Sequence, residues 1–264
     1  MTLPFFKYQA TGNDFVLFDN RNKKYSFSPE QIKSICDRRF GVGADGIMLI
    51  EPHAELDFNL QYYNSDGTQS LCGNGSRAAV SFASSLGLIN GKTTFNAYDG
   101  PHDAELVDPN YVRLRMNDVT VISAVGDDLF IHTGSPHYVR FVDDAQAVNV
   151  YQEGKRIRYS EPYKPGGTNV NFVQLLGRDS IFVRTYERGV EDETLSCGTG
   201  VTAAALAASF RNQRSPIMIK TLGGDLSVDF KYVDPSEGSG HAGMFTDVFL
   251  SGPAKMVYKG ELEL

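Results

Sequence analysis

Two cysteines, Cys72 and Cys197, sit in the same local pattern. One reads Cys-Gly-Asn-Gly and the other Cys-Gly-Thr-Gly, and each leads into an Ala-rich stretch, GSRAAVSFASSLG and GVTAAALAASFRN. Each cysteine therefore precedes a glycine-rich turn that opens a helix. The first amides of a helix have no acceptor within it, and the helix dipole favours an anion there. Glycines let a ligand come close to that backbone. Such a position suits a carboxylate, and the same field lowers a thiol's pKa from about 8.5 and raises its thiolate fraction. Two thiols and a carboxylate cradle fit the inversion of a stereocentre. One thiolate removes the α-proton, the opposite thiol delivers one to the other face, and the helix termini stabilise the carbanion spread into the carboxylate. Three other chemistries stay open on these residues. Cys-nucleophile hydrolysis with His137 leaves the second cysteine unexplained. A redox pair would close the cleft that the thiols are expected to share. Metal binding is weak, since there is no C-x-x-C or H-E-x-x-H and the five His are scattered.

The two cysteines are 125 residues apart (197 − 72), close to half of the 264-residue chain. At that offset Gly73 matches Gly198, Gly75 matches Gly200, Ala78 and Ala79 match Ala203 and Ala204, and Ala83 and Ser84 match Ala208 and Ser209. Upstream, TGNDFVLFD from Thr11 echoes TGSPHYVRFVD from Thr133. Two matched markers at similar spacing predict two copies of one α/β unit, each a curved mixed or antiparallel sheet around a central helix. The expected units are residues 1–117, joined by 250–264, and residues 118–249. A pseudo-twofold between them would bring both helix N-termini to one interface.

The positioning elements follow from local pattern. FFKYQA and DFVLFD read as strands around a turn at Gly12-Asn13. Ser28-Pro29-Glu30 reads as an N-cap with Pro in the first turn, opening a helix expected to run through QIKSICDRRF to Gly41. Short strands fill most of the rest, up to one around Met244 to Gly252. The segment Gly41-Val42-Gly43-Ala44-Asp45-Gly46 satisfies G-x-G-x-x-G, but a helix precedes it and a strand follows. That inverts a dinucleotide fingerprint and makes the segment a helix end and turn.

Composition narrows the class. Hydrophobic residues at 41% and charged residues at 22% describe an ordinary globular chain. A net charge of −7 argues against a nucleic-acid partner. Three cysteines and no secretory leader point to a reducing cytosol. The longest apolar run, near Ala203 to Phe210, is too short to span a bilayer.

With these residues in place, TGNDF (Thr11 to Phe15), YNSDGTQSLCGNGSR (Tyr63 to Arg77), TNVNF (Thr168 to Phe172) and YERG…ETLSCGTG (Tyr186 to Gly200) closely resemble the diaminopimelate epimerase family over nearly the whole chain. The resemblance implies two pseudo-symmetric α/β domains and a cytoplasmic enzyme, commonly a homodimer, that needs no cofactor or metal. It also implies interconversion of LL- and meso-diaminopimelate in lysine and peptidoglycan precursor synthesis. By the same resemblance Cys72 and Cys197 match the acid/base thiols, and Gly73, Asn74, Gly198 and Thr199 match the cradle for the reacting carboxylate. Asn13, Asn64 and Asn169 match substrate-binding amides, and Arg188 matches the cation for the distal carboxylate. Glu187 and His137 match polar residues that support catalysis, Glu187 also touching substrate. Two positions depart from the pattern: Gly46 stands where some members carry Gln, and Ser135 where many carry Asn. Cys36 belongs to no motif and is expected to be a packed helix residue. The nearest rival is a proline-racemase-like enzyme, which would favour His at Asn74 and has no need of Arg188. A rival of another class is a redox-sensing module that uses the two thiols as a switch.

Overall fold

In the computed structural model of the chain, residues 2–70, 72–234 and 243–263 are described. Leu71 of the first cysteine motif, the chain ends Met1 and Leu264, and residues 235–242 of the expected second unit lie outside them. The chain divides into two compact units, Met1–Leu114 with Gly252–Leu264, and Arg115–Ser251.

The elements run β1 (Thr2–Ala10), β2 (Asn13–Asp19), α1 (Pro29–Cys36), β3 (Gly46–Glu51), β4 (Phe58–Asn64), α2 (Gly73–Ser85), β5 (Lys92–Ala97), β6 (Gly100–Asp108) and β7 (Tyr111–Arg115). They continue with β8 (Ile122–Val125), β9 (Asp128–His132), β10 (Pro136–Phe141), α3 (Val150–Arg158), β11 (Asn169–Gly177), β12 (Ser180–Glu187) and β13 (Asp192–Thr194). The last are α4 (Gly198–Ser209), β14 (Ile217–Thr221), β15 (Gly224–Val233), β16 (Met244–Pro253) and β17 (Lys255–Glu263).

Both units follow one plan. In the first, the strands pair in the order β17-β1-β2-β3-β4-β5-β6-β7, antiparallel except at β2–β3 and β4–β5. In the second, the order is β8-β9-β10-β11-β12-β14-β15-β16, antiparallel except at β10–β11 and β12–β14, with β13 a short partner of β12. A parallel pair needs a crossover. Here α1 and α3 serve the first parallel pair of each unit, and α2 and α4 the second.

The Ala-rich helices are central because small side chains let strands close around them. In α2 every residue from Gly73 to Ala83 is buried, and α4 is buried from Gly198 to Ala208 apart from Thr199. A helix buried on all sides is one enclosed by its own domain. Helix α2 packs on β1, β2, β3, β4, β6 and β17, and α4 on β9, β10, β11, β12, β14 and β15. The opposite sheet faces are covered by α1, through Ile32, Ile35 and Cys36 against Val16, Phe18, Ile47 and Leu49, and by α3, through Val150 and Ile157 against Tyr138, Val170, Phe172 and Tyr186. Strands covered on both faces read as unbroken apolar runs, as β3 does.

Three local expectations change. The first helix has the expected Ser28 cap, with a reciprocal bond pair to Gln31, but ends at Cys36 rather than Gly41. Asp37 is extended, and its carboxylate accepts the amides of Arg39 and Phe40, which diverts the chain into a turn. The first hairpin turns at Thr11-Gly12, one residue early, with positive φ at both (+46° and +92°) and Ala10 opposite Asn13. Helix α3 has no clear signal in the sequence, because VYQEGKRIR is mostly polar and carries Gly154. A Cβ on Gly154 would lie 2.6 Å from the Tyr186 ring carbon Cγ, so close packing demands the glycine. Among the described residues no helix is long and apolar enough to cross a membrane.

Candidate functional site

In each unit the motif residues collect at one sheet end, around the start of the central helix. Strands β2 and β3 begin there, β4 ends there, and α2 starts there. The second unit repeats this with β10, β11, β12 and α4. The topology thus brings together residues far apart in sequence.

In the first unit Cys72 is the N-cap of α2 in extended conformation, and the Gly75 amide donates to its Sγ at 3.4 Å. Asn74 donates to Asn13 Oδ1 at 2.6 Å, and Asn13 Nδ2 donates to Asp45 Oδ2 at 2.8 Å. Asp45 comes from the inverted G-x-G-x-x-G segment, whose Gly43 has φ +79°. Its carboxylate also accepts the Asp14 amide at 3.1 Å and pairs with Arg38 at 2.7 Å. Asn64, at the end of β4, donates through Nδ2 to Thr68 Oγ1 at 3.0 Å and Ser70 Oγ at 3.1 Å. Gly46 is buried against Tyr62, and a Cβ there would lie 2.6 Å from the Tyr62 ring. The tyrosine therefore takes the space a larger residue would need.

In the second unit Cys197 is the N-cap of α4, and its Sγ lies 3.5 Å from Thr199 Oγ1. Thr199 Oγ1 lies 2.9 Å from Nε2 of the fully buried His137. Burial holds the His137 pKa far down, to about 3, with His132 and Arg188 adding to the depression, so the ring is neutral. Its tautomer follows from the far side. Asn171 Nδ2 donates to the Tyr138 carbonyl at 3.1 Å, which fixes the amide, and to His137 Nδ1 at 3.2 Å. The Asn171 carbonyl accepts the Thr185 hydroxyl at 3.0 Å. His137 Nδ1 is thus an acceptor, its proton is on Nε2 and is donated to Thr199, and the Thr199 hydroxyl proton is left to point at Cys197.

Asn169 donates to Ser135 Oγ at 2.7 Å and to the Pro136 carbonyl at 2.9 Å, and its carbonyl accepts the Arg188 amide at 2.8 Å. Ser135 thus takes up a bond to a motif amide. Arg188 is exposed and its Nη1 reaches the Gly166 carbonyl at 3.4 Å. Glu187, which ends β12, accepts the Thr194 hydroxyl at 2.9 Å. Thr133 donates to the Thr199 carbonyl at 2.8 Å and ties the second hairpin to the helix start.

The donor hydrogens of Asn64 and Asn169 are spent inside the protein. Each carbonyl oxygen already accepts one bond, from the Ser70 hydroxyl at Asn64 and from the Arg188 amide at Asn169, and the lone pair left over is what these amides offer a ligand, which suits an ammonium. The helix starts at Gly73 and Gly198 offer N–H groups, which suit a carboxylate. One amino-acid end needs both. Cys36 stands apart: it is buried, and burial pushes its thiol up to about 12, so it stays protonated. Residue type and spacing do not single out Arg77, Asp45, Asn171, Thr133 or Thr185. Arg77 and Asn171 lie inside the quoted motifs, but only three-dimensional packing shows their contacts.

A family model described as diaminopimelate epimerase matches residues 5–122 and again 129–245, one match for most of each unit. A diaminopimelate epimerase of Flavobacterium psychrophilum is 46% identical over 261 residues, covering 96% of this chain and 98% of that protein. The enzyme of the same name from Chlorobaculum tepidum is 38% identical, covering 97% and 99%. Among solved structures, a PhzF-family phenazine biosynthesis protein of Bacillus anthracis superposes with a TM-score of 0.72 over the full length of both chains at 14% identity, a likeness of fold.

Proposed function

The chain belongs to the diaminopimelate epimerase family, and from that premise we propose that it interconverts LL- and meso-diaminopimelate without a cofactor, by proton transfer between the substrate α-carbon and the thiols of Cys72 and Cys197. The observation that carries the reading is the duplicated helix start. Each unit caps its buried central helix with a cysteine, and each holds a glycine beneath the sulfur. A catalyst that inverts a carbon needs two acid/base groups of one kind acting on opposite faces, and a repeated fold supplies them by repetition.

In the proposed mechanism the reacting carboxylate binds to the first-turn amides at Gly73, Asn74, Gly198 and Thr199, whose field stabilises the carbanion. The adjacent ammonium meets carbonyl oxygens of Asn13, Asn64 and Asn169 and the carboxylate of Glu187. The distal carboxylate pairs with Arg188, which is exposed and supported through its backbone by Asn169. His137 is neutral and acts through Thr199. We propose a homodimer in a reducing cytosol, since a disulfide between the two thiols would remove both acid and base.

The test is incubation of the freshly reduced protein with LL-diaminopimelate in D₂O without pyridoxal phosphate, followed by NMR. Loss of the α-proton signal with appearance of the meso isomer is expected. Absence of exchange, or exchange of free proline instead, overturns the reading. Sedimentation equilibrium checks the dimer, and a monomer at micromolar concentration removes that part alone.

A further inference from the structure

Arg77 has no part in the mechanism above, and its surroundings are unusual. It lies in the second turn of α2 with 0% of its surface exposed. The side chain folds back toward the helix start. Nη1 reaches the Gly73 carbonyl at 3.4 Å, and Nη2 donates to Asn74 Oδ1 at 2.9 Å and Thr11 Oγ1 at 3.1 Å. These partners are all neutral, and among the described residues Nε has no partner. A buried guanidinium without a carboxylate is strongly destabilising, and the positive end of a helix is the worst place for it. The two motif carboxylates of this sheet end are already taken: Asp14 pairs with Arg38 at 2.8 Å and Lys7 at 2.7 Å, and Asp45 with Arg38 at 2.7 Å.

The second unit shows what the position needs for folding alone. The repeat places Thr202 where Arg77 stands. Thr202 Oγ1 donates to the Gly198 carbonyl at 2.9 Å, the counterpart of the Gly73 carbonyl that Arg77 reaches. A neutral hydroxyl is enough to satisfy that carbonyl. What Arg77 adds is charge. Burial pushes the Arg77 guanidinium down, to about 10, which leaves it charged at neutral pH, and Cys72, at the start of its own helix, holds it up more than Tyr111 on β7 does. The sulfur of Cys72 also already accepts an amide, that of Gly75.

We propose that Arg77 is the counter-ion of Cys72, so that in the resting enzyme Cys72 is the thiolate and Cys197 carries the proton. The inference rests on the epimerase reading for its catalytic meaning and fixes the proton balance of a turnover. The substrate C–H bond breaks and an S–H bond forms at Cys72. The S–H bond of Cys197 breaks and its proton forms the new C–H bond. After release Cys72 returns its proton to solvent, Cys197 takes one up, and Arg77 drives this reset. Substrate whose α-proton faces Cys72 meets the ready form, while the other isomer must wait for the minor form. Arg77 acts through Cys72 and is a positioning residue.

The test uses the reduced full-length protein without substrate. Iodoacetamide alkylation is followed against pH and quantified for each cysteine by peptide mass spectrometry. In the unmodified sequence the Cys72 midpoint is expected about one pH unit or more below that of Cys197. Arg77→Gln is expected to raise the Cys72 midpoint by about one unit or more and leave Cys197 unmoved, and Arg77→Lys to keep Cys72 low. A Cys72 midpoint at or above that of Cys197, or one unmoved in folded Arg77→Gln, overturns the proposal. Circular dichroism establishes folding, and if Arg77→Gln does not fold the order in the unmodified protein decides. A wrong thiol order leaves the epimerase reading intact, and absence of α-proton exchange leaves the thiol order intact.

Discussion

Cys72 and Cys197 begin corresponding helices in units of the same plan, yet different groups surround them. Cys72 has a backbone amide on its sulfur and a buried cation in the next turn. Cys197 has a chain of neutral hydrogen bonds, Thr185 to Asn171 to His137 to Thr199 to sulfur. Position by position in the repeat, Arg77 corresponds to Thr202 and Asn74 to Thr199. Duplication supplied the shared part, which is a helix start with a sulfur over glycine. Divergence supplied the proton preferences. Identical surroundings would leave the two thiols equally acidic, whereas unequal surroundings set one apart from the other.

The comparison breaks first at the thiols. Cys72→Ala and Cys197→Ala are each expected to lower epimerisation about 1,000-fold or more, since general acid–base groups contribute roughly that much and neither thiol has a substitute. Turnover of LL-diaminopimelate by each variant measures it. One variant near the unmodified rate would mean that only one half carries chemistry. A smaller effect is expected at Thr199→Val, which keeps the shape and removes the hydroxyl between His137 and Cys197. Hydrogen bonds to charged groups are worth about 1.5–3 kcal/mol, or roughly 10- to 150-fold in kcat. Thr199→Ser is expected to retain most activity, and a Val variant that matches Ser would remove the neutral chain from the mechanism.

The glycines under the two sulfurs sharpen the contrast. A Cβ on Gly75 meets the terminal methyl of Met48, a flexible end. A Cβ on Gly200 would lie 2.6 Å from Asn171 Oδ1 and 3.3 Å from Cys197 Sγ. That amide is held by Thr185, His137 and the Tyr138 carbonyl, and cannot move without turning the imidazole. Gly200→Ala is therefore expected to lower kcat roughly 10-fold more than Gly75→Ala, the equivalent of about 1.4 kcal/mol. Equal losses would show that the Asn171 chain is not rigid.

Much of this architecture is readable in the sequence because it is written twice. The offset of Cys72 from Cys197 marks the repeat, and the small residues of α2 and α4 mark helices enclosed by strands. Helix α3 escaped because its buried face is only Val150, Gly154 and Ile157. Its reason to be a helix lies in Tyr186 and Tyr138, on strands that fold against it. The site shows the same limit. Residue type alone points to Cys72 and Cys197. Arg77 and Asn171 look like ordinary members of CGNGSR and TNVNF until packing shows one as a guanidinium without a carboxylate and the other as the group that sets a tautomer. Asp45 sits in a glycine segment whose pattern points toward nucleotides, while its use is to hold Asn13.

The smallest expected effect concerns the stability of the second unit. His137 is neutral when folded, with its pKa depressed by burial to about 3, against about 6.5 in an unfolded chain. Between those values the unfolded state binds more protons, so His137 subtracts stability as pH falls from about 6.5 toward 3 and subtracts none above that window. The slope is at most about 1.4 kcal/mol per pH unit. His137→Gln keeps one donor for Thr199 and one acceptor for Asn171 and cannot be protonated in this range. Urea unfolding at pH 7, 6 and 5 is then expected to show the unmodified protein losing about 2 kcal/mol relative to His137→Gln between pH 7 and 5. Carboxylates titrate in both proteins and cancel in the difference. Parallel stability curves would mean that His137 takes up a proton while folded. Its Nδ1 would then be a donor facing the Asn171 amide, and the neutral chain that distinguishes Cys197 from Cys72 would not exist.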